Sequence, residues 1–330
     1  MTTPFSERSR VPAWLPSASL ENLRLRARLL KQIRDFFYVR KVMEVETPLL
    51  CHTSVTDPFI ESIPALFQAH PQEKEQRYYL QTSPEYAMKR LLAAGCGSIY
   101  QISKAFRQGE IGRLHNPEFT LVEWYRLGFN HVQLMDEVDD LLQEVLLVPA
   151  AERVSYAYLF QAELDIDPHH ASVNELKACA QTKLISVQGE ITENDTWLDI
   201  LFTHCIEPQL GKERPCFVYD FPISQAALAR IREEQGLASR FEVYFHGMEL
   251  ANGFHELQDA REQRKRFEKN LAKRKQLGLA SLPIDELLLT ALQQGLPDCS
   301  GVALGVDRLL MLAAGSERIA EVLAFDFFRV

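Results

Sequence analysis

Arg107 stands at the head of FRQGEIGRLHNPEFTLVEWY, residues 106–125, and Glu123 and Tyr125 stand near its end. In an extended strand Phe119, Leu121, Glu123 and Tyr125 share one face. A glutamate and a tyrosine on a face that neighbours would bury need partners, because an unpaired buried carboxylate is costly. Either that face is open to water, or a bound cation or amine satisfies it. Arg107, just ahead of a loop, carries the group that holds a phosphate through two parallel hydrogen bonds. Taken alone, such an arginine more commonly ends in a surface salt bridge.

A second polar face occurs in MELANGFHEL, residues 248–257, where Asn252, Phe254 and Glu256 alternate on one side. Glu249 falls on the opposite parity unless a bulge, expected at Gly253, shifts the register. Glu242 lies across Gly247 in a hairpin. Two acids facing each other across a hairpin repel, and become sensible if a divalent cation sits between them and a polyphosphate. In GVALGVDRLLM, residues 301–311, Gly301 and Gly305 let a ligand or another backbone approach closely, or serve tight helix–strand packing. Arg308 stands where strand meets helix, a place from which a guanidinium can reach phosphate.

The elements that must position these groups are legible in outline. Ser19 caps a helix over 20–39 with Leu23, Ala27, Leu30, Ile33 and Phe37 on one face. A short strand runs through 42–50 and ends at Pro48; further strands are expected at 58–67 and 77–81. Ser83 at the N-cap, Pro84 at the first helical position and Gly95 at the stop punctuate the next helix. Two strands flank the long loop 107–117, and long loops in compact domains are often functional. An amphipathic helix follows over 131–147. The pattern then weakens over about 149–213, which reads as an insertion of short helices and loops in a domain spanning 20–330. Strands resume at 215–221, 240–247 and 248–257, helices at 258–277 and 284–295, and a glycine-rich strand enters a last helix. Strands mostly following strands predict an α+β fold with an antiparallel sheet.

The 330 residues, 46% hydrophobic and 25% charged, predict a folded soluble protein. No run of eighteen apolar residues predicts a membrane span. The first nineteen residues read as an arm that packs late or stays mobile, not as a signal peptide. The six cysteines are scattered with no C-x-x-C pair, which points to reduced thiols in the cytoplasm rather than zinc or disulfides. A net charge of −9 argues against a life on nucleic-acid phosphates. The one basic segment, 261–276, carries its own glutamates and reads as a solvated helix face.

VETP (45–48), the 106–125 stretch and GVALGVDRLLM together resemble the three motifs of class II aminoacyl-tRNA synthetases of the lysyl subgroup, and TSPEYAMKRLL and FEVYFHGMELANGFHELQDA are similar to the same subgroup. The resemblance covers roughly 20–130 and 214–325, with five segments agreeing in order and spacing. Only about twenty residues precede the first core helix, too few for the anticodon-binding OB-fold of lysyl-tRNA synthetases. The chain therefore resembles the elongation factor P–(R)-β-lysine ligases, a truncated paralogue family.

That resemblance implies a class II synthetase fold, a homodimer joined through the first helix and the Pro48 region, and ATP with Mg²⁺ as cofactors. It implies activation of (R)-β-lysine as an adenylate and its transfer to a lysine ε-amine of elongation factor P, with tRNA an unlikely acceptor. Arg107 and Arg308 are the implied catalytic residues, on the α- and γ-phosphates of ATP. Gln108, Gly109, His115 and Asn116 lie in the loop around the triphosphate, Phe119 stacks on adenine, and Glu249 and the Leu250 backbone lie by the nucleotide. Glu242 and Glu249 are the implied Mg²⁺ ligands. Glu85, Glu123, Glu256, Tyr125 and Asn252 bind the substrate amines, with Ser83 and Pro84 positioning Glu85 and Ala303 on the pocket floor. Three positions depart from the lysyl pattern. Gly109 replaces a glutamate, with Glu110 one later; Leu114 replaces an arginine, with Arg113 one earlier; Ala303 replaces a glycine. The alternatives are a truncated lysyl-tRNA synthetase acting on tRNA and a non-catalytic paralogue that binds lysine or a partner.

Overall fold

The structure, a computed structural model, describes residue 12, residues 14–187 and residues 189–330. Most of the expected N-terminal arm lies outside them; the part described, 14–19, is tied to the C-terminal segment by Ser17 N–H and Ala18 N–H donating to the carbonyls of Ala324 and Leu323.

Helix α1 (Leu20–Val39) begins where the cap predicts, with Ser19 Oγ accepting from the Asn22 N–H at 3.1 Å. Its buried side chains are Leu29, Ile33, Phe36 and Phe37. Leu23 is only half-buried and Ala27 is exposed, because only the C-terminal half of the helix reaches the core. The strand expected through 42–50 is two pieces, β1 (Met43–Glu44) and β2 (Leu50–Cys51), which join different sheets on either side of Pro48. Proline has no N–H to give to a ladder. Of the strand expected over 58–67 only β3 (Pro64–Phe67) forms; it pairs with β4 (Gln76–Leu80), which also pairs with β2. Helix α2 (Glu85–Ala93) starts one residue later than expected, with Pro84 rather than Ser83 at its N-cap, although Ser83 Oγ still accepts from the Glu85 N–H at 3.1 Å.

β5 (Ile99–Phe106) and β6 (Glu118–Leu127) form the expected antiparallel pair. The loop between them is closed at its base by Arg107 N–H donating to the Pro117 carbonyl at 2.9 Å. α3 (His131–Leu146) starts in a capping box of Asn130 and Gln133. The stretch 149–213 holds β7 (Glu152–Ser155), α4 (Tyr156–Leu164), α5 (Val173–Thr182) and α6 (Asn194–Leu201). After it come β8 (Cys216–Pro222), β9 (Ile231–Arg232), β10 (Leu237–Phe245) and β11 (Met248–His255). The chain ends with α7 (Ala260–Gln276), α8 (Glu286–Gly295), β12 (Cys299–Gly305) and α9 (Val306–Ala314). The basic segment is α7; Phe267 and Arg274 turn inward, and Arg274 donates to the Ala280 and Asp57 carbonyls and pairs with Glu61 at 2.7 Å.

The main sheet runs β1-β5-β6-β12-β11-β10-β8-β7, with β9 beside β10, and is antiparallel except at β1–β5 and β7–β8. This is the expected α+β fold. One face is apolar across its middle: Val122, Trp124, Phe241, Val243, Val302 and Leu304 pack with α1, α3 and α9. The other face is covered only at its two ends. At the β5–β6 end, Ile99, Tyr125 and Cys299 pack against α2, α7 and α8. At the β8 end, Cys216, Val218 and Tyr244 pack under α4, α5 and α6. The middle of that face is where polar side chains gather.

Gly253 is not the bulge. It pairs in register with Phe241 and Val302 on the apolar face, and a Cβ there would lie 2.3 Å from Phe241 Cζ. Glycine at 253 therefore makes room for the Phe241 ring. Gly253→Ala should cost about 1–3 kcal/mol by overpacking, read as a lowered urea midpoint with an unchanged m-value; an undiminished midpoint would contradict the close approach.

Candidate active site

The register of the sheet builds the site. Gln101, Glu123, Ala303, Asn252 and Glu242 are direct cross-strand partners, one from each of β5, β6, β12, β11 and β10. Direct partners in an antiparallel ladder point to the same side. The neighbouring row is Ile99, Tyr125, Gly301, Phe254 and Arg240. A β-bulge brings in Glu249: Val243 pairs with Ala251 but Tyr244 pairs with Glu249, so Leu250 is the extra residue. The parity that put Glu249 on the wrong side is thus reversed at Leu250, three residues before the expected position. Leu250 itself packs in the apolar core.

At one end lies a pocket of carboxylates. Glu123, buried, accepts from Ser83 Oγ and from the Tyr125 hydroxyl, each at 2.7 Å. Burial, and then the charge of Glu85, push the Glu123 carboxyl up to about 8. Glu256 is buried as well, and burial pushes it up to about 7 against the pull of Lys89. Lys89 Nζ lies 2.6 Å from Glu85 Oε1 and 2.7 Å from Glu256 Oε2. Gly301 is required here, since a Cβ would stand 2.3 Å from the Tyr125 ring and 2.6 Å from Glu256 Oε1. The acceptors Asn252 Oδ1 and Gln101 Oε1 face this side buried and without a hydrogen-bond partner. Such groups suit a ligand that brings ammonium donors. Pro84 only sets the start of α2, and Ala303 lies half-buried between Asn252 and Glu123.

The other end is cationic and aromatic. The Arg107 guanidinium lies 5.0 Å from the centre of the Phe119 ring, with Glu110 at 3.5 Å and its Nε unpartnered. Gly109 adopts φ +81°, and the Gln108 N–H donates to the Glu61 carbonyl at 2.7 Å. Arg308 donates to the Glu249 carbonyl at 2.6 Å and to His115 Nε2 at 2.9 Å, beside Leu250. Burial, and then the Arg308 charge, hold His115 below the usual histidine range, which matches an accepting, neutral imidazole. Asn116 turns away: its amide donates to the Glu118 carbonyl and accepts from the Phe327 N–H, so it braces the loop against the C-terminus. Arg113 likewise donates to the Glu317 carbonyl.

Glu242 and Glu249 face one cavity of about 200 Å³. Burial, then the Glu242 charge, push Glu249 up to about 7. Glu242 accepts from Arg240 and from the Tyr244 hydroxyl. Among the described residues no three or more metal-ligating side chains group together. Two carboxylates that press on each other fit a hard cation that takes its other ligands from phosphate and water, the habit of Mg²⁺.

The reading of the sequence missed Lys89, whose i, i+4 spacing from Glu85 was a usable signal. It also missed Gln101, which only the pairing of β5 with β6 reveals, and Arg240 and Tyr244, which hold Glu242.

If Arg107 and Arg308 meet a triphosphate, Arg107→Ala or Arg308→Ala should lower ATP–pyrophosphate exchange by on the order of a hundredfold or more. Near-normal exchange in both variants would remove them from the site.

The family model for class II tRNA synthetases (D, K and N) matches residues 6–328. Proteins named elongation factor P–(R)-β-lysine ligase from Salmonella arizonae, Salmonella paratyphi B and Salmonella schwarzengrund are each 52% identical over 323 residues, covering 97% of this chain and 99% of the relative. The chain belongs to the class II tRNA synthetase family, in the branch of the elongation factor P–(R)-β-lysine ligases.

Proposed function

We propose that this chain activates (R)-β-lysine with ATP and joins it to a lysine ε-amine of elongation factor P. The observation that carries this is the pocket of three carboxylates at one end of the sheet's polar face, whose other end along the strands holds Arg107 over Phe119 and Arg308. A diamino acid fits the first end and a nucleoside triphosphate the second. The likeness over nearly the full length to proteins of that name supports the same reading.

In this account Glu123, Glu85, Glu256, Tyr125 and Asn252 hold the two ammonium groups, and the amino acid's carboxylate lies toward Arg107. One carboxylate oxygen attacks the α-phosphorus and pyrophosphate leaves. The acceptor lysine's neutral ε-amine then attacks the adenylate carbonyl, loses a proton, and AMP leaves with the bond to the acyl carbon broken. Arg107 and Arg308 neutralise charge on the phosphates, and Phe119 stacks on adenine; positioning and electrostatics supply the catalysis, with no covalent enzyme nucleophile. Mg²⁺ bound at Glu242 and Glu249 would add charge neutralisation on the polyphosphate. We place the reaction in the cytoplasm; among the described residues no helix is long and apolar enough to cross a membrane. A homodimer is supported by the exposed apolar side chains of Tyr38, Val39, Met43 and Leu50 on α1, β1 and β2.

The test is pyrophosphate exchange with (R)-β-lysine and α-lysine side by side, then transfer to elongation factor P and to bulk tRNA. Labelled elongation factor P in large excess over charged tRNA is the expected outcome; comparable charging of tRNA would favour a tRNA synthetase. In the same exchange assay Ala303→Gly should raise the efficiency for α-lysine relative to (R)-β-lysine. The methyl lies on the floor between Asn252 and Glu123, and one carbon in a tight pocket is worth about 1–3 kcal/mol of discrimination. An unchanged ratio in an active variant would move that discrimination to another residue.

A further inference from the structure

Lys89 is a charged pocket group with no part in the reaction proposed for this site. It projects from α2 and is buried, with its ammonium between Glu85 and Glu256. A lysine is rarely buried unless paired, and here both partners are groups assigned to the substrate. When ionised, Glu85, Glu123 and Glu256 carry three negative charges, and Lys89 returns one positive, leaving two. A diamino acid brings two ammonium groups. Glu123 is held separately, by Ser83 and Tyr125. We propose that Lys89 is a positioning and specificity residue: it fixes the Glu85 and Glu256 carboxylates and trims the pocket's charge to match a diammonium substrate. The inference rests on the assignment of this pocket to the amino acid.

Lys89 also sets when the pocket is ready. The titratable groups facing it are Glu85 from α2, Glu123 and Tyr125 from β6, Glu256 after β11, and Cys299 from β12. Glu256 sits near 7 with burial raising it and Lys89 lowering it. A diammonium ligand favours ionised carboxylates, so KM for the amino acid should fall as pH rises towards 8. Without the Lys89 charge Glu256 holds its proton to higher pH, and that fall should move upward.

The experiment compares wild type, Lys89→Met and Lys89→Arg. ATP affinity, measured without amino acid, reports that the variant is folded. For Lys89→Met, KM for (R)-β-lysine should rise by about tenfold or more, with kcat changed far less, and the KM–pH midpoint should move up by about a unit. Lys89→Arg should restore the midpoint. A Lys89→Met variant that binds ATP normally and keeps the wild-type KM and pH profile overturns the inference. Should Lys89→Met fail to bind ATP, the ¹H–¹⁵N signal of Lys89 Nζ in the wild type decides: it should shift on adding (R)-β-lysine, and a signal that stays put overturns the role. Wild type that does not bind (R)-β-lysine at all overturns the pocket assignment and this inference with it. Wild type that binds while Lys89→Met is unaffected overturns this inference alone.

Discussion

One extra residue in one strand holds the two halves of the site together. Without the bulge at Leu250, strict alternation from Asn252 would send Glu249 toward Phe241 and Val243, into hydrocarbon, and Leu250 toward the polar row. An unpaired carboxylate in such a core costs several kcal/mol or stays protonated. The bulge reverses both. Leu250 joins the core, Glu249 joins Glu242 at a shared cavity, and the Glu249 carbonyl accepts from Arg308 at the start of α9. The cationic end of the site is thus anchored to the backbone that the bulge displaces.

The polar row is electrostatically unfinished. Glu123, Glu249 and Glu256 are pushed up to about 8, 7 and 7, by burial first in each case. Asn252, Gln101 and Arg107 each keep a buried polar atom unpartnered. A protein stabilised for its own sake would satisfy or replace these groups. The apolar face beneath shows the contrast, since Trp124 there finds Glu137 for its one N–H, at 3.3 Å.

Much of this was legible before any fold was known. Ser19 located the start of α1, amphipathic periodicity located α3, and alternation put Glu123 with Tyr125 and Asn252 with Glu256. What alternation could not supply was register between strands: it leaves Gln101 unrelated to Glu123, and it gave no sign that Leu250 rather than Gly253 was the irregular residue. Gly253 misled because a glycine in a strand marks either a bulge or a close neighbour, and here the neighbour is the Phe241 ring. The strand expected to end at Pro48 stops at Glu44, and the residues beyond the proline join a separate sheet, a choice made by partners distant in sequence. Asn116 had the residue type of a ligand contact, but its amide spans two backbone segments, a use that no local pattern encodes.

The central claim is that one face of the main sheet binds a diamino acid at one end of its strands and ATP at the other. A crystal structure of the protein with ATP, Mg²⁺ and (R)-β-lysine tests it most directly. The account predicts adenine against Phe119, phosphates between Arg107 and Arg308, metal at Glu242 and Glu249, and both substrate amines within hydrogen-bond reach of Glu85, Glu123, Glu256 or Asn252. Nucleotide or amino acid bound away from that face, with these side chains unmoved and unliganded, would contradict it.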